Sequence, residues 1–251
     1  NYVVALVFMV VIGVVMFATM ALLPPMLQQL FGFGVIDTGE ALMPRGVGTL
    51  LTMQLSGLVI RRGFDPRILV ATGFAIAGLS LWEMSSWSLQ VDYAHVAMSG
   101  FIQGIGMGLV FIPLNASAFA TLGPALRTDG SSLLNLSRSI GSSIGISVVT
   151  ALMARNLQVG HSDLGAHING SITDLVDFTT IDRFQTIGEA ALRIVDAEVN
   201  RQAAMVAYVD NFYLMMWLSF AAIPLVAMMR KPDLRRGAPG AADDSPVDLP
   251  H

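Results

Sequence analysis

Five side chains sit in settings where their chemistry stands out: Arg45, Gln103, Asn115, Asn135 and Arg138, each alone inside a long apolar run. Four of them fall within the stretch from 99 to 149. It reads SGFIQGIGMGLVFIPLNASAFATLGP, a short basic turn, then DGSSLLNLSRSIGSSIGISVV. A guanidinium or an amide in such a run binds and orients polar groups. A soluble core would not hold apolar runs of this length, and an inert membrane anchor has no use for polar groups at its centre. Charged side chains at membrane depth face the bundle interior or a water-filled cavity, because lipid cannot solvate them. An arginine close to a helix end can instead snorkel to the interface, and an amide can tie two helices together. Both readings stand for Arg45, Arg138 and the three amides at this stage.

Membrane-length helices must position these groups. About twenty apolar residues cross the roughly 30 Å of hydrocarbon. Runs of that kind occupy about 2–23, 37–60, 68–87, 95–122, 130–154 and 209–229. The expected architecture is therefore an all-α membrane protein with six transmembrane helices. Pro24-Pro25 is expected to end the first helix, and Asp37 with Glu40 three residues on to form a capping box for the second. Trp82 and Trp87 are expected in the interfacial aromatic belt. Glu83 is expected to face the interface or to be paired. Gly100, Gly104 and Gly108 repeat every fourth residue, as do Ser137, Gly141 and Gly145, giving two smooth faces for close helix packing.

Composition supports the same class. Hydrophobic residues make up 54 % and charged ones 13 % of the chain, and the mean hydropathy is +0.64. The absence of cysteine excludes disulfides and thiolate metal sites. Gly141-Ser142-Ser143-Ile144-Gly145 fits the G-x-S-x-G nucleophile pattern, yet that motif needs a strand-turn-helix context, whereas this one lies in a helical run. No HExxH frame or catalytic dyad is present, so His161 and His167 carry little metal signal and the chain is not read as an enzyme. No basic patch outside the short basic loops supports nucleic-acid binding. No cofactor is expected.

Arginine and lysine cluster in the loops at 61–67 and 123–129 and in the tail from 230, and are absent from those at 31–37 and 88–94. The positive-inside rule then places both chain ends in the cytoplasm. The polar stretch 156–208 becomes an extracytoplasmic loop with an amphipathic helix over 182–207, and 232–251 a disordered tail. The chain begins at Asn1-Tyr2, already at the edge of an apolar run, and reads as a piece of a longer protein.

These residues resemble the fourteen-span drug:proton antiporter branch of the major facilitator superfamily, the EmrB/QacA type, over roughly 1–232. The resemblance rests on ALLPPMLQQLFG, MPRGVGT, RRGFDPR, FIQGIGMGLVFIPLN, DGSSLLNLSRSIGSSIGISV and AAMVAYVDNFYLM. It implies the C-terminal six-helix bundle, two inverted three-helix repeats, of a multi-pass inner (plasma) membrane exporter of hydrophobic or amphipathic compounds driven by the proton gradient. The family's proton-carrying acid and antiporter motif would lie in an N-terminal half. Spans one, two, four and five would line the cavity, making Arg45, Gln103, Asn115, Asn135 and Arg138 substrate-pathway residues. The implied partners are the lipid bilayer, the hydrophobic substrates, that N-terminal half and a periplasmic adaptor protein. Glu40 departs from the family, which fills that position with an apolar residue. A competing reading is a truncated, non-transporting membrane module that needs a partner half.

Overall fold

Twenty-nine consecutive residues without a charge form the first helix, α1 (Tyr2–Leu30). It runs straight through Pro24 and Pro25, contrary to expectation. Each proline removes one amide donor, which frees the carbonyls of Met20 and Ala21, yet the surrounding helices hold the segment in place. This computed structural model describes residues 2–120, 122–172 and 185–229, and every regular element among them is helical. After α1 come α2 (Val35–Arg61), α3 (Pro66–Met84), α4 (Tyr93–Phe119), α5 (Arg127–Ile172) and α6 (Gln185–Leu225), with short 3₁₀ turns at Pro124–Leu126 and Val226–Met228.

The caps explain where the helices begin and end. Gly34, not Asp37, is the N-cap of α2; the Asp37 carboxylate accepts from the Gly34 amide at 3.2 Å, and Glu40 plays no part in the cap. Asp65 caps α3 by accepting from the Arg67 amide at 3.2 Å, with Pro66 as the first helical residue. Between α2 and α3 the chain reverses at Gly63, whose φ of 89° only glycine adopts without strain. Pro113 lies inside α4, and the GSSIG pentapeptide lies inside α5 as continuous helix.

Among the described residues, five helical stretches are long and apolar enough to cross a membrane: α1, α3, α4, Arg127–Gly160 within α5, and Asp196–Met228, which joins α6 to the 3₁₀ turn after it. Six were expected. The remaining one, α2, has the length, at 27 residues, but carries Asp37, Glu40, Arg45, Gln54 and four glycines. It is the sixth member of the bundle by position, packed along α4. The long helices also depart from the expected boundaries. Hydropathy ends the fifth span near 154 while the helix continues to Ile172, and the amphipathic helix expected over 182–207 is continuous with the sixth span. Residues 173–184 and everything from 230 on, including the 232–251 tail expected to be disordered, lie outside the described residues.

The packing has internal symmetry. α1 lies along α5 and α2 along α4, while α1 packs on α6 and α3 on α4. Exchanging α1–α3 for α4–α6 converts each of these pairs into the other. Three crossings per unit reverse the chain direction, so the two units are an inverted repeat. The core falls into two clusters along the bundle. One holds Leu23, Met26, Leu81, Trp87, Phe212 and Met215; the other holds Phe8, Phe74, Leu114 and Met229, with the Phe8 and Phe74 rings 5.6 Å apart. Trp87 is thus not a belt residue. Its ring is buried edge-on against Phe212, 6.1 Å between centroids, whereas Trp82 is exposed as expected.

Candidate functional site

Glycine sets how closely the helices approach. A Cβ at Gly104 would overlap the Arg45 carbonyl, and one at Gly108 would lie 2.7 Å from the Thr49 carbonyl, so the backbones of α2 and α4 touch there. Gly48 makes the reciprocal contact, its Cβ position 2.6 Å from the Phe101 carbonyl. Gly100 is looser, 3.7 Å from Arg45 Cβ. The α1–α5 interface repeats the design: Gly141 meets the Val10 carbonyl, Gly145 lies against Val14, and Gly13 meets the Arg138 carbonyl. Glycines on one helix of each pair therefore seat the main chain of an arginine on the other.

With its main chain held against α4, Arg45 sends its guanidinium to α1, where Nη2 donates to the Met16 carbonyl at 3.3 Å. Thr49 donates to the Arg45 carbonyl at 2.9 Å, closing the turn. α1 and α2 otherwise scarcely touch. The gap between them is an open cleft of about 440 Å³, lined by Met16, Met20, Pro24, Leu42, Arg45 and Met53 among others. Such a volume lies in the range of about 300–1,000 Å³ typical of small-molecule sites. No acidic residue lines it.

Arg138 occupies the matching place in the second repeat. α4 and α5 are not a closely packed pair, and the guanidinium reaches across, 5.8 Å above the Phe111 ring. It also donates to Asn135 Oδ1 at 3.1 Å. Asn115 belongs to the same neighbourhood, donating to the Phe111 carbonyl at 2.8 Å. The structure thus links Asn135 to Phe111 through Arg138, with Asn115 one turn along α4 from Phe111, and leaves Arg45 in the other gap. Along α5, Asn135, Ser139, Ser143 and Ser147 form an exposed polar stripe. A stripe of this kind faces protein or water in preference to lipid.

Gln103 lies in neither gap. It is fully buried between α4 and α1, where Nε2 donates to Thr19 Oγ1 at 3.3 Å while Oε1 has no partner. This geometry makes it a helix tie. Gln103→Met conserves volume, gives up the one hydrogen bond to Thr19 and removes an acceptor that is already unsatisfied; the two effects oppose each other, so stability should stay within about 1 kcal/mol of the parent and transport should persist. A stable Gln103→Met protein that no longer transports would return this residue to the pathway. Glu83 pairs with His95 at 3.6 Å where α3 turns into α4, at the end of the bundle. The side chains of His161 and His167 lie outside the described residues, and among those described no group of three potential ligands could hold a metal.

Sequence reading passed over Met16, Met20 and Met53. A methionine stripe is unremarkable in an apolar helix, and only the opening of α1 from α2 makes it a lining. A second signal was available. Arg45-Gly46-Val47-Gly48-Thr49 and Arg138-Ser139-Ile140-Gly141-Ser142 share an R-x-x-G-[ST] pattern at equivalent places in the two repeats.

Paired membrane-length helices, an inverted repeat and a cleft of small-molecule size between α1 and α2 define a polytopic membrane protein of the transporter class. The family model for the Major Facilitator Superfamily matches residues 1–146. The chain belongs to that superfamily, whose members are transporters and not enzymes. It is 32 % identical over 158 residues to a Multidrug resistance protein B homolog of Mycobacterium tuberculosis, covering 62 % of this chain and 29 % of the relative. To the Probable multidrug resistance protein EmrY of Escherichia coli it is 26 % identical over 208 residues, covering 82 % and 38 %. To the Fatty acid resistance protein FarB of Neisseria gonorrhoeae it is 27 % identical over 236 residues, covering 93 % and 45 %. The chain spans less than half the length of each of these relatives.

Proposed function

We propose that this chain is the C-terminal bundle of a proton-coupled multidrug exporter, which moves hydrophobic and amphipathic compounds out of the cell by alternating access. The observation that carries this reading is the open cleft between α1 and α2, walled by methionine and leucine around one guanidinium. Methionine side chains re-pack around ligands of different shape, which suits loose recognition. In this reading the bundle rocks against an N-terminal half that supplies the proton-carrying acid. The division of labour fits the cleft, whose lining contains no carboxylate. The protein sits in the inner (plasma) membrane with both ends of this chain cytoplasmic. The 156–208 segment faces outward, where a periplasmic adaptor is the further partner.

The test is transport by the whole protein in liposomes with an imposed pH gradient and a fluorescent amphiphile. Movement should follow the gradient and stop when a protonophore collapses it. Met20→Trp should fill the cleft and slow movement at least about tenfold, since the added ring volume displaces a drug-sized ligand from a site of this size. Movement that ignores the gradient would remove proton coupling, and an unaffected Met20→Trp protein would remove the cleft from the route. The second reading, a module inactive without its partner half, is favoured by the same lack of an acid in the cleft. It expects no gradient-driven movement from this bundle alone.

A further inference from the structure

The turn from α3 into α4 holds a second open cavity, of about 310 Å³, at the end of the bundle. Where the α1–α2 cleft is walled by methionine and leucine, this one is lined by Glu83, Ser86, Trp87, Gln90, Asp92 and His95 among others. Several of these groups have bonding capacity that the fold leaves unused. Asp92 stands at the N-cap of α4, yet its carboxylate makes no capping hydrogen bond and meets no cation among the described residues. Glu83 meets His95 at 3.6 Å, longer than the roughly 2.7–2.9 Å of a charge-assisted hydrogen bond. Trp87 is only 6 % exposed, and its indole Nε1–H is buried without an acceptor. A buried donor left unpaired is costly, and packing on the Phe212 ring holds this one in place.

The charge around the cavity is one-sided. Neither 1–44 nor 68–126 contains a lysine or an arginine. Among the described residues His95 is the one basic group in the lining, and it already sits beside Glu83. An anion finds no free counter-charge here, whereas two carboxylates favour a cation. A bare metal ion does not fit: among the described residues no group of three potential ligands could hold one, and a hard cation takes roughly six to eight oxygens. An ammonium needs less, since its three N–H donors can go to separate acceptors. The unused indole N–H adds the opposite demand, an acceptor on the ligand.

We propose that this cavity binds a small polar amine that carries an oxygen next to its ammonium, an amino alcohol in the simplest case. The ammonium lies on the Glu83 and Asp92 carboxylates and the oxygen accepts from Trp87 Nε1. A volume at the low end of the range for small-molecule sites suits a ligand of this size. The site is separate from the α1–α2 cleft and does not rest on the transport reading.

Ligand-detected NMR titration of the whole protein in phosphatidylcholine nanodiscs reads such binding, with ethanolamine as the probe. Three analogues divide the site into its parts. Ethylene glycol lacks the charge, propylamine lacks the oxygen, and choline keeps both but has no ammonium N–H. Ethanolamine is expected to bind at least about tenfold more tightly than ethylene glycol or choline, the size of one charge-assisted hydrogen bond. Over propylamine the margin should be about fivefold, the size of one neutral hydrogen bond. Trp87→Phe keeps a ring against Phe212 and removes the donor. It should bring ethanolamine down to the level of propylamine and leave propylamine unchanged. Asp92→Asn keeps a good N-cap for α4, and it should weaken both amines about tenfold while ethylene glycol stays as it was.

Ethylene glycol or choline matching ethanolamine in the parent would overturn the proposal, whether or not the variants fold. So would a folded Trp87→Phe protein that still prefers ethanolamine to propylamine. Phosphatidylethanolamine presents the same ammonium beside phosphate oxygens. If adding it to the discs displaces ethanolamine, the amine that fills the site is a lipid head group; if it does not, the site takes the free amine.

Discussion

Gly141→Val should separate α1 from α5 and cost at least about 3 kcal/mol, the upper end for overpacking, because the obstruction is backbone. A Cβ at Gly141 overlaps the Val10 carbonyl and lies 2.8 Å from Val10 Cα. Neither atom belongs to a flexible side chain, so relief requires moving a whole helix. In detergent-solubilised protein the monodisperse fraction after heating should collapse for Gly141→Val. Gly48→Val should behave alike, since Gly48 makes the equivalent contact with the Phe101 carbonyl in the other repeat. Gly57→Ala provides the contrast. Nothing lies within 4 Å of its Cβ position, and the substitution should gain about 0.5–1 kcal/mol of helix stability. A Gly141→Val protein that melts with the parent would mean that α1 and α5 are not in contact as described.

The second large effect is expected at Arg138. Arg138→Ala in the whole protein should lower transport at least about tenfold at unchanged expression, the loss of a cation–π contact together with a hydrogen bond. The physical reason is the gap that Arg138 bridges. α4 and α5 are not a closely packed pair, and the guanidinium joins them through Phe111 while holding Asn135. Without it, two walls of the proposed pathway lose their link and the exposed polar stripe of α5 loses its charge. Phe111→Leu tests the same link from the other side, keeping apolar volume but removing the ring face, and should reproduce a part of the loss. Normal transport by Arg138→Ala would take this residue out of the mechanism.

Much of this architecture is legible in the amino-acid sequence. Long apolar runs with few charges can only satisfy their backbone polar groups in lipid by helix formation, so membrane class and helix number follow from composition and spacing. The glycine repeats announced close helix contacts for the same reason, since a hydrogen in place of a side chain lets two backbones meet. Gly104, Gly108, Gly141 and Gly145 all make such contacts. The G-x-S-x-G decoy was dismissed by its helical setting, and the helix is there.

Tertiary structure decided the rest. Hydropathy sees only the part of a helix that lipid must solvate, so it ended α5 near 154 and split α6, while the helices continue past both points. It also read Pro24-Pro25 as a stop, because local sequence does not contain the neighbouring helices against which α1 stays helical through them. The polar residues were found by type, but not their partners. Whether an amide lines a cavity or ties two helices depends on rotation about the helix axis, which is set by packing against other chains of residues far away in sequence. That rotation buries Gln103 against Thr19, links Asn135 to Phe111 through Arg138, with Asn115 one turn along α4, and leaves Arg45 alone in an open, methionine-walled cleft.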